Sequence, residues 1–148
     1  MNDIMKKRIV RASLVALLVS MPACVTPALA AGTVLAGISN TATALNSAVS
    51  GGQGNSASGD YAAIAGGHKD TASGKYSFAG GGYNNTASGN WATAIGGQGG
   101  IVAGECTTGI AGGSATAEAS HSFAIGFGSV AKIAYGAAIG RNAVATEA

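Results

Sequence analysis

The chain has 148 residues and a formal net charge of +2, with 25 Gly, only 9% charged and 5% aromatic residues, and a 47% hydrophobic share carried largely by small side chains. Such side chains bury too little area for a broad globular core stocked with Leu and Phe. So few charges and a positive mean hydropathy equally exclude a disordered polar linker, which leaves a thin, repetitive β structure.

The first stretch is a leader. Residues 1–11 carry Lys6, Lys7, Arg8 and Arg11, and residues 12–19 (ASLVALLV) are apolar. Pro22 and Pro27 break any helix there, and Ala28-Leu29-Ala30 places small residues at −3 and −1. The pattern predicts a secretory signal peptide over residues 1–30, cut after Ala30. The apolar run falls well short of the roughly 20 residues of a membrane span, and Met21-Pro22-Ala23 suits a lipoprotein signal ending at Cys24 poorly. Beyond the leader, Lys69, Lys75, Lys132 and Arg141 face Asp60, Asp70, Glu105, Glu118 and Glu147, a net charge of −1. No basic surface remains to attract nucleic acid or an acidic membrane.

After a lead-in over residues 31–38, the sequence repeats itself. NSASGDYAAIAGG (55–67), DTASGKYSFAGGG (70–82) and NTASGNWATAIGG (85–97) are spaced 15 residues apart. Repetition this close marks an array, whose function is argued from the stack rather than from one copy. Read at that step, the chain falls into columns. One runs Ala42, Ala57, Ala72, Ala87, Val102, Ala117, Ala131, Ala145; a second runs Val34, Val49, Ile64, Ala79, Ile95, Ile110, Ile125, Ile139, nearly always followed by Gly. A third runs Asn46, Tyr61, Tyr76, Trp91, Cys106, His121, Tyr135, with Ser47, Ala62, Ser77, Ala92, Thr107, Ser122, Gly136 beside it. The step shortens to 14 in the last repeats and lengthens once to 16, between Ala79 and Ile95. That extra residue is expected in a turn or bulge.

Fifteen residues are too few for a stacking pair of helices, and frequent Gly destabilises helices. They suffice for one solenoid coil of two short strands and two turns. The Gly pairs 66–67, 81–82, 96–97 and 112–113 are expected at one turn, where positive φ is needed. Ser58-Gly59, Ser73-Gly74 and Ser88-Gly89 suit the other. The predicted fold is all-β: a parallel β-solenoid of about seven coils of 14–15 residues over residues 39–148, each column a ladder along the axis. Its core ladder is expected to be Ala57, Ile64, Ala72, Ala87, Ile95, Val102, Ile110, Ala117, Ile125, Ala131 and Ile139. So thin a roll draws its stability from many coils, from oligomerisation, or from both.

The runs Ser122-Phe-Ala-Ile-Gly126 and Gly136-Ala-Ala-Ile-Gly140, each behind an A-x-A type stretch, resemble the YadA-like head repeats of trimeric autotransporter adhesins. The N-[ST]-A-S-G-x-[YW] copies resemble the haemagglutinin-type variant of that repeat. What the resemblance implies is a left-handed β-roll, three of which associate into a head displayed beyond the outer membrane. Such heads attach to extracellular matrix, host cells or other bacteria. The family continues into a neck, a coiled-coil stalk and a membrane barrel. None is expected in this sequence, which stops at Ala148, three residues past the Ala145 column, so the roll reads as truncated and the product as surface-anchored in a longer chain or otherwise secreted.

No catalytic, cofactor or metal constellation stands out. His68 and His121 have no second ligand at metal spacing, and the Gly strings lack the Lys-Ser/Thr of a P-loop. His68 reads as part of a solvated turn, and His121 as an imidazole in the aromatic column. Cys106, the lone cysteine after the leader, reads as a small apolar substitute in that column. Tyr61, Tyr76, Trp91, His121 and Tyr135 form the candidate ligand-facing or inter-subunit ladder; packing over the roll or between subunits is favoured over exposure. The function expected is a non-enzymatic, homotrimeric adhesin head whose partner is a matrix protein or cell-surface ligand. A structural spacer is the alternative. An ice-binding face would need regular Thr-x-Thr rows, against which the scattered Thr41, Thr43, Thr107 and Thr108 count, and a phage fibre would lack the signal peptide.

Overall fold

Short strands of two or three residues, each followed by a tight turn, leave the chain one regular option: to wind. The computed structural model describes residues 32–110 and 113–146; the signal-peptide reading falls on residues outside these. Odd-numbered strands β1 (Thr33–Val34), β3 (Ala48–Val49), β5 (Ala63–Ile64), β7 (Phe78–Ala79), β9 (Thr93–Ile95), β11 (Thr108–Ile110), β13 (Phe123–Ile125) and β15 (Ala137–Ile139) form one parallel sheet in that order. Even-numbered strands β2 (Thr41–Ala42), β4 (Ser56–Ala57), β6 (Thr71–Ala72), β8 (Thr86–Ala87), β10 (Ile101–Val102), β12 (Thr116–Ala117), β14 (Val130–Ala131) and β16 (Val144–Ala145) form the other. Successive strands change sheet and every second one pairs, so the fold is a parallel β-solenoid of about seven turns. The roll starts at β1, which pairs with β3, inside the stretch read from sequence as a lead-in.

The two sheets meet over an interior made almost wholly of small side chains. Ala57, Ala72, Ala87, Val102, Ala117 and Ala131 are buried from the even sheet, and Val49, Ile64, Ala79, Ala94, Ala124 and Ala138 from the odd one. Bulk on one side is matched by its lack on the other. A Cβ added to Gly109 would run into the Cγ2 of Val102, so the coil whose inward even-sheet residue is Val carries Gly across from it.

Here the sequence reading of the core needs correction. Ile95, Ile110 and Ile139 are exposed at 39%, 37% and 65%, and Ile125 is half-buried; none is an inward rung. The pairing Phe78↔Thr93 and Ala79↔Ala94 keeps the step at 15, with no bulge and no step of 16. Isoleucine follows the inward alanine instead of replacing it, and a shift of one residue along a strand turns the side chain to the opposite face. Phe123 and Ile125 do share a face, but it is the outer one, and Ala124 is inside. The step of 14 first appears between Thr116 and Val130 and between Phe123 and Ala137.

Of the two turns in each coil, the one after the odd strands uses the expected glycines. Gly67, Gly82 and Gly97 have φ of 98°, 113° and 75°. The other turn departs from expectation. Ala62 N–H donates to Gly59 O at 3.0 Å and Ala92 N–H to Gly89 O at 3.1 Å, but the positive φ falls on the third residue, Tyr61 (59°) or Trp91 (55°), not on Gly. Gly59, Gly74 and Gly89 are there because coils stack closely. A Cβ on Gly59 would collide with the carbonyl of Gly74, and one on Gly74 with that of Gly89.

Candidate functional site

The third sequence column becomes a physical ladder at one corner of the roll. Asn46, Tyr61, Tyr76, Trp91, Cys106, His121 and Tyr135 all occupy the left-handed region, with φ between 52° and 61°. Such a conformation costs a residue other than Gly on the order of 1 kcal/mol or more. Each rung is pinned by the coil before it: Tyr76 N–H donates to Asp60 O, Trp91 N–H to Lys75 O, Cys106 N–H to Asn90 O and His121 N–H to Glu105 O, all at 2.8–2.9 Å.

The rings that this brings together stack. Tyr61 and Tyr76 have centroids 4.9 Å apart and planes inclined by 16°; Tyr76 and Trp91 lie 5.7 Å apart at 14°; His121 and Tyr135 lie 5.0 Å apart at 19°. Offset stacks of this kind stabilise by about 0.5–1.5 kcal/mol per pair, which offsets the backbone strain. Within this single chain the ladder is open to solvent, with Trp91 51% and Tyr135 79% exposed. Packing over their own roll is therefore not what these side chains do. Between the two stacks stands Cys106, exposed and free, so the ladder misses one ring. Beside the ladder, Lys75 Nζ lies 5.2 Å from the Tyr76 centroid.

A second ladder, which the sequence reading missed, runs through the interior of the opposite turns. Asn55, Asp70 and Asn85 are fully buried. Asn55 N–H donates to Asn40 Oδ1 at 3.0 Å, Asp70 N–H to Asn55 Oδ1 at 2.8 Å, Asn85 N–H to Asp70 Oδ1 at 2.7 Å and Gly100 N–H to Asn85 Oδ1 at 2.9 Å. Each amide also donates through Nδ2 to two carbonyls: Asn55 to Gly51 O and Gly67 O, Asn85 to Gly81 O and Gly97 O. Asp70 has an oxygen where its neighbours have that donor, and its Oδ2 is buried with no hydrogen-bond partner. Burial raises the Asp70 carboxyl above its ordinary range, against the lowering effect of its hydrogen bonds with Asn85 and of nearby His68. The signal was present in the sequence as Asn or Asp at every fifteenth position, but the sequence reading gave these residues no inward role.

The outer faces differ. The even sheet presents Thr41/Thr43, Ser56/Ser58, Thr71/Ser73 and Thr86/Ser88 outward on four successive coils, so the hydroxyls form regular rows; Thr107 is buried elsewhere. The odd sheet presents Phe78, Ile95, Ile110, Phe123, Ile125 and Ile139. His68, expected in a solvated turn, is half-buried and lies 5.1 Å from Tyr83, its plane tilted by 58°. Among the described residues no three His, Cys, Asp or Glu side chains gather as metal ligands. Neither the known protein-family models nor the curated proteins contain a match to this chain.

Proposed function

We propose that the chain is the head of an exported, homotrimeric adhesin that attaches to extracellular matrix, host cells or other bacteria and catalyses no reaction. The observation that carries this reading is the exposed aromatic ladder, whose rings stack on three successive coils at Tyr61, Tyr76 and Trp91 and on two more at His121 and Tyr135. A repeating surface of that kind suits repeating ligands, because many weak contacts add up when they engage together. The resemblance to YadA-like head repeats supplies the family context. The apolar outer side of the odd sheet supports association in threes, since Ile95, Ile110 and Ile139 are large hydrophobic groups left facing water in the single chain.

Solid-phase binding of the purified protein to collagens, laminin and fibronectin tests the reading, with sedimentation of the same sample. The expected result is a trimer retained on at least one matrix protein. A well-behaved monomer would remove the assembly, and a trimer retained on no matrix protein or cell surface would leave the spacer in its place.

The hydroxyl rows of the even sheet favour one second reading, a face that orders water or ice. Thermal hysteresis in a freezing assay checks it, and growth of ice at the rate seen in buffer alone would dispose of it.

A further inference from the structure

The ladder's missing ring leaves a gap at the level of Cys106. Trp91 stacks on Tyr76 through one face, and His121 stacks on Tyr135, so each turns its remaining face toward the level of Cys106. Neighbouring coils are about 4.8 Å apart, which separates Trp91 from His121 by roughly twice that distance. The Cys106 side chain is one sulfur long and has no ring to occupy the space. A flat group placed midway would lie about 4.8 Å from each ring, inside the ordinary range of about 4.5–7 Å for stacked pairs and of about 6 Å for a cation over a ring.

The charge beside the gap decides which flat group. Glu105 precedes Cys106 as Lys75 precedes Tyr76, and the Lys75 ammonium reaches over the ring that follows it. At the gap that same position holds a carboxylate. On adjacent coils the corresponding residues are Asn90 and Ser120, both neutral, and Glu105 has no cationic partner among the described residues. Two π faces and one free carboxylate select a planar cation. A guanidinium fits that description better than an ammonium, since it is flat, stacks on aromatic faces and meets a carboxylate with paired N–H groups. The molecule already places one guanidinium over an aromatic face, with Arg141 Cζ 5.9 Å from the Phe127 centroid.

We infer that the gap between Trp91 and His121 is a binding slot for an arginine side chain of a partner polypeptide, with Trp91 and His121 as its walls, Cys106 as its floor and Glu105 as its counter-charge. The slot belongs to a single chain, so it stands or falls independently of whether the head binds matrix proteins.

Trp91 is the one tryptophan of the protein, which makes its fluorescence a reporter of the slot. The purified protein is titrated with the acetylated amides of arginine, lysine and citrulline. Arginine, flat and charged, should give a saturable change in the range of about one to tens of millimolar, as expected of two cation–π contacts and a carboxylate acting together. Lysine, charged but not flat, and citrulline, flat but neutral, should each bind at least about fivefold more weakly, a loss equivalent to one such contact. Glu105→Gln should weaken arginine by up to about fivefold, the worth of one exposed ion pair, and leave citrulline unchanged. Cys106→Tyr, checked for an unchanged circular dichroism spectrum, should abolish saturation by filling the gap. Cys106→Ser keeps the gap, removes the thiol as a quencher and should still bind. The same linear response to all three amides, or equal saturation in wild type and Cys106→Tyr, would overturn the proposal.

Discussion

The two halves of the roll share one winding and stabilise it differently. Toward the N-terminus the odd sheet sends Val49 and Ile64 inward, and a buried chain of Asn55, Asp70 and Asn85 ties successive turns together. Past Gly100, which accepts no further rung because it has no side chain, that chain ends. From Ala79 onward the odd sheet sends in only Ala79, Ala94, Gly109, Ala124 and Ala138, and its isoleucines lie outside. What both halves keep is the small even-sheet column, the close glycine contacts and the left-handed corner. The fold is thus fixed by residues that permit close stacking, whereas bulk moves between inside and outside without changing the winding.

Adjacent residues on one strand give the sharpest test of that comparison. Ala124→Asp puts an unpaired carboxylate into a space sized for a methyl group and should cost about 4 kcal/mol or more, enough to prevent folding. Ile125→Asp, one residue on, should leave the single chain within about 1 kcal/mol of wild type while dispersing any assembly that uses the odd sheet's outer face. Thermal melts followed by circular dichroism, paired with sedimentation, separate the two outcomes. Loss of folding in Ile125→Asp would return that isoleucine to the core.

This pair also marks where the sequence misleads. The winding, the parallel stacking and the even-sheet column are legible because Ala recurs there at a constant step and because strands and turns must fit into 15 residues. The odd-sheet column is legible only as far as Ala79, since Val49, Ile64 and Ala79 are inside and the isoleucines after them are not. Ala63-Ile64-Ala65-Gly66 and Thr93-Ala94-Ile95-Gly96 look alike when matched on their Ile, yet the backbone matches Ile64 with Ala94. Which of two neighbouring residues points in is set by the strand register, and a match on Ile alone does not reveal it. The aromatic column was visible as a column, but its exposure and its positive φ depend on where the turn falls. The amide ladder stayed hidden because Asn and Asp near Gly are ordinary turn residues, and nothing local reveals that their side chains run inward along the axis.

Glycines test the close stacking common to both halves. Gly74→Ala should destabilise by about 1–3 kcal/mol, since the new Cβ overlaps the Gly89 backbone, which cannot step aside without parting two coils. Gly66→Ala meets nothing within 4 Å and should stay within about 0.5 kcal/mol of wild type. Equal melting curves for the two variants would mean that the stacking distance is not what fixes glycine at position 74.

The amide ladder of the N-terminal half predicts a pH dependence. Because burial raises the Asp70 carboxyl in the folded state, the folded chain binds more protons than the unfolded one between the ordinary carboxylate value and the raised one. Stability from this group is therefore full at low pH and falls as pH rises through that window. Protonated, Oδ2 becomes a donor, as Nδ2 is in Asn55 and Asn85. Asp70→Asn supplies that donor at every pH and should stabilise the protein at neutral pH by about 1–3 kcal/mol, the cost of a buried polar atom left unpaired. Denaturation at a series of pH values should give wild type and variant curves that converge on acidification. Curves that run parallel throughout would show that Asp70 is not the group responsible.

The smallest expected effect concerns the break in the aromatic ladder. If the corner's backbone strain is offset by ring stacking, then closing the gap should help. Cys106 already has the left-handed φ of the rungs around it, 53° against 55° for Trp91 and 58° for His121, and its N–H already donates to the preceding coil. Cys106→Tyr thus adds a ring without asking the backbone to move, and should raise stability by about 0.5–1.5 kcal/mol for each of the two rings it stacks on, Trp91 and His121. Cys106→Ala, which adds no ring, should leave stability where it is. A tyrosine no better than alanine at this position would mean that the Trp91 and His121 faces do not meet across it, and that the two halves carry separate stacks instead of one ladder interrupted by a single rung.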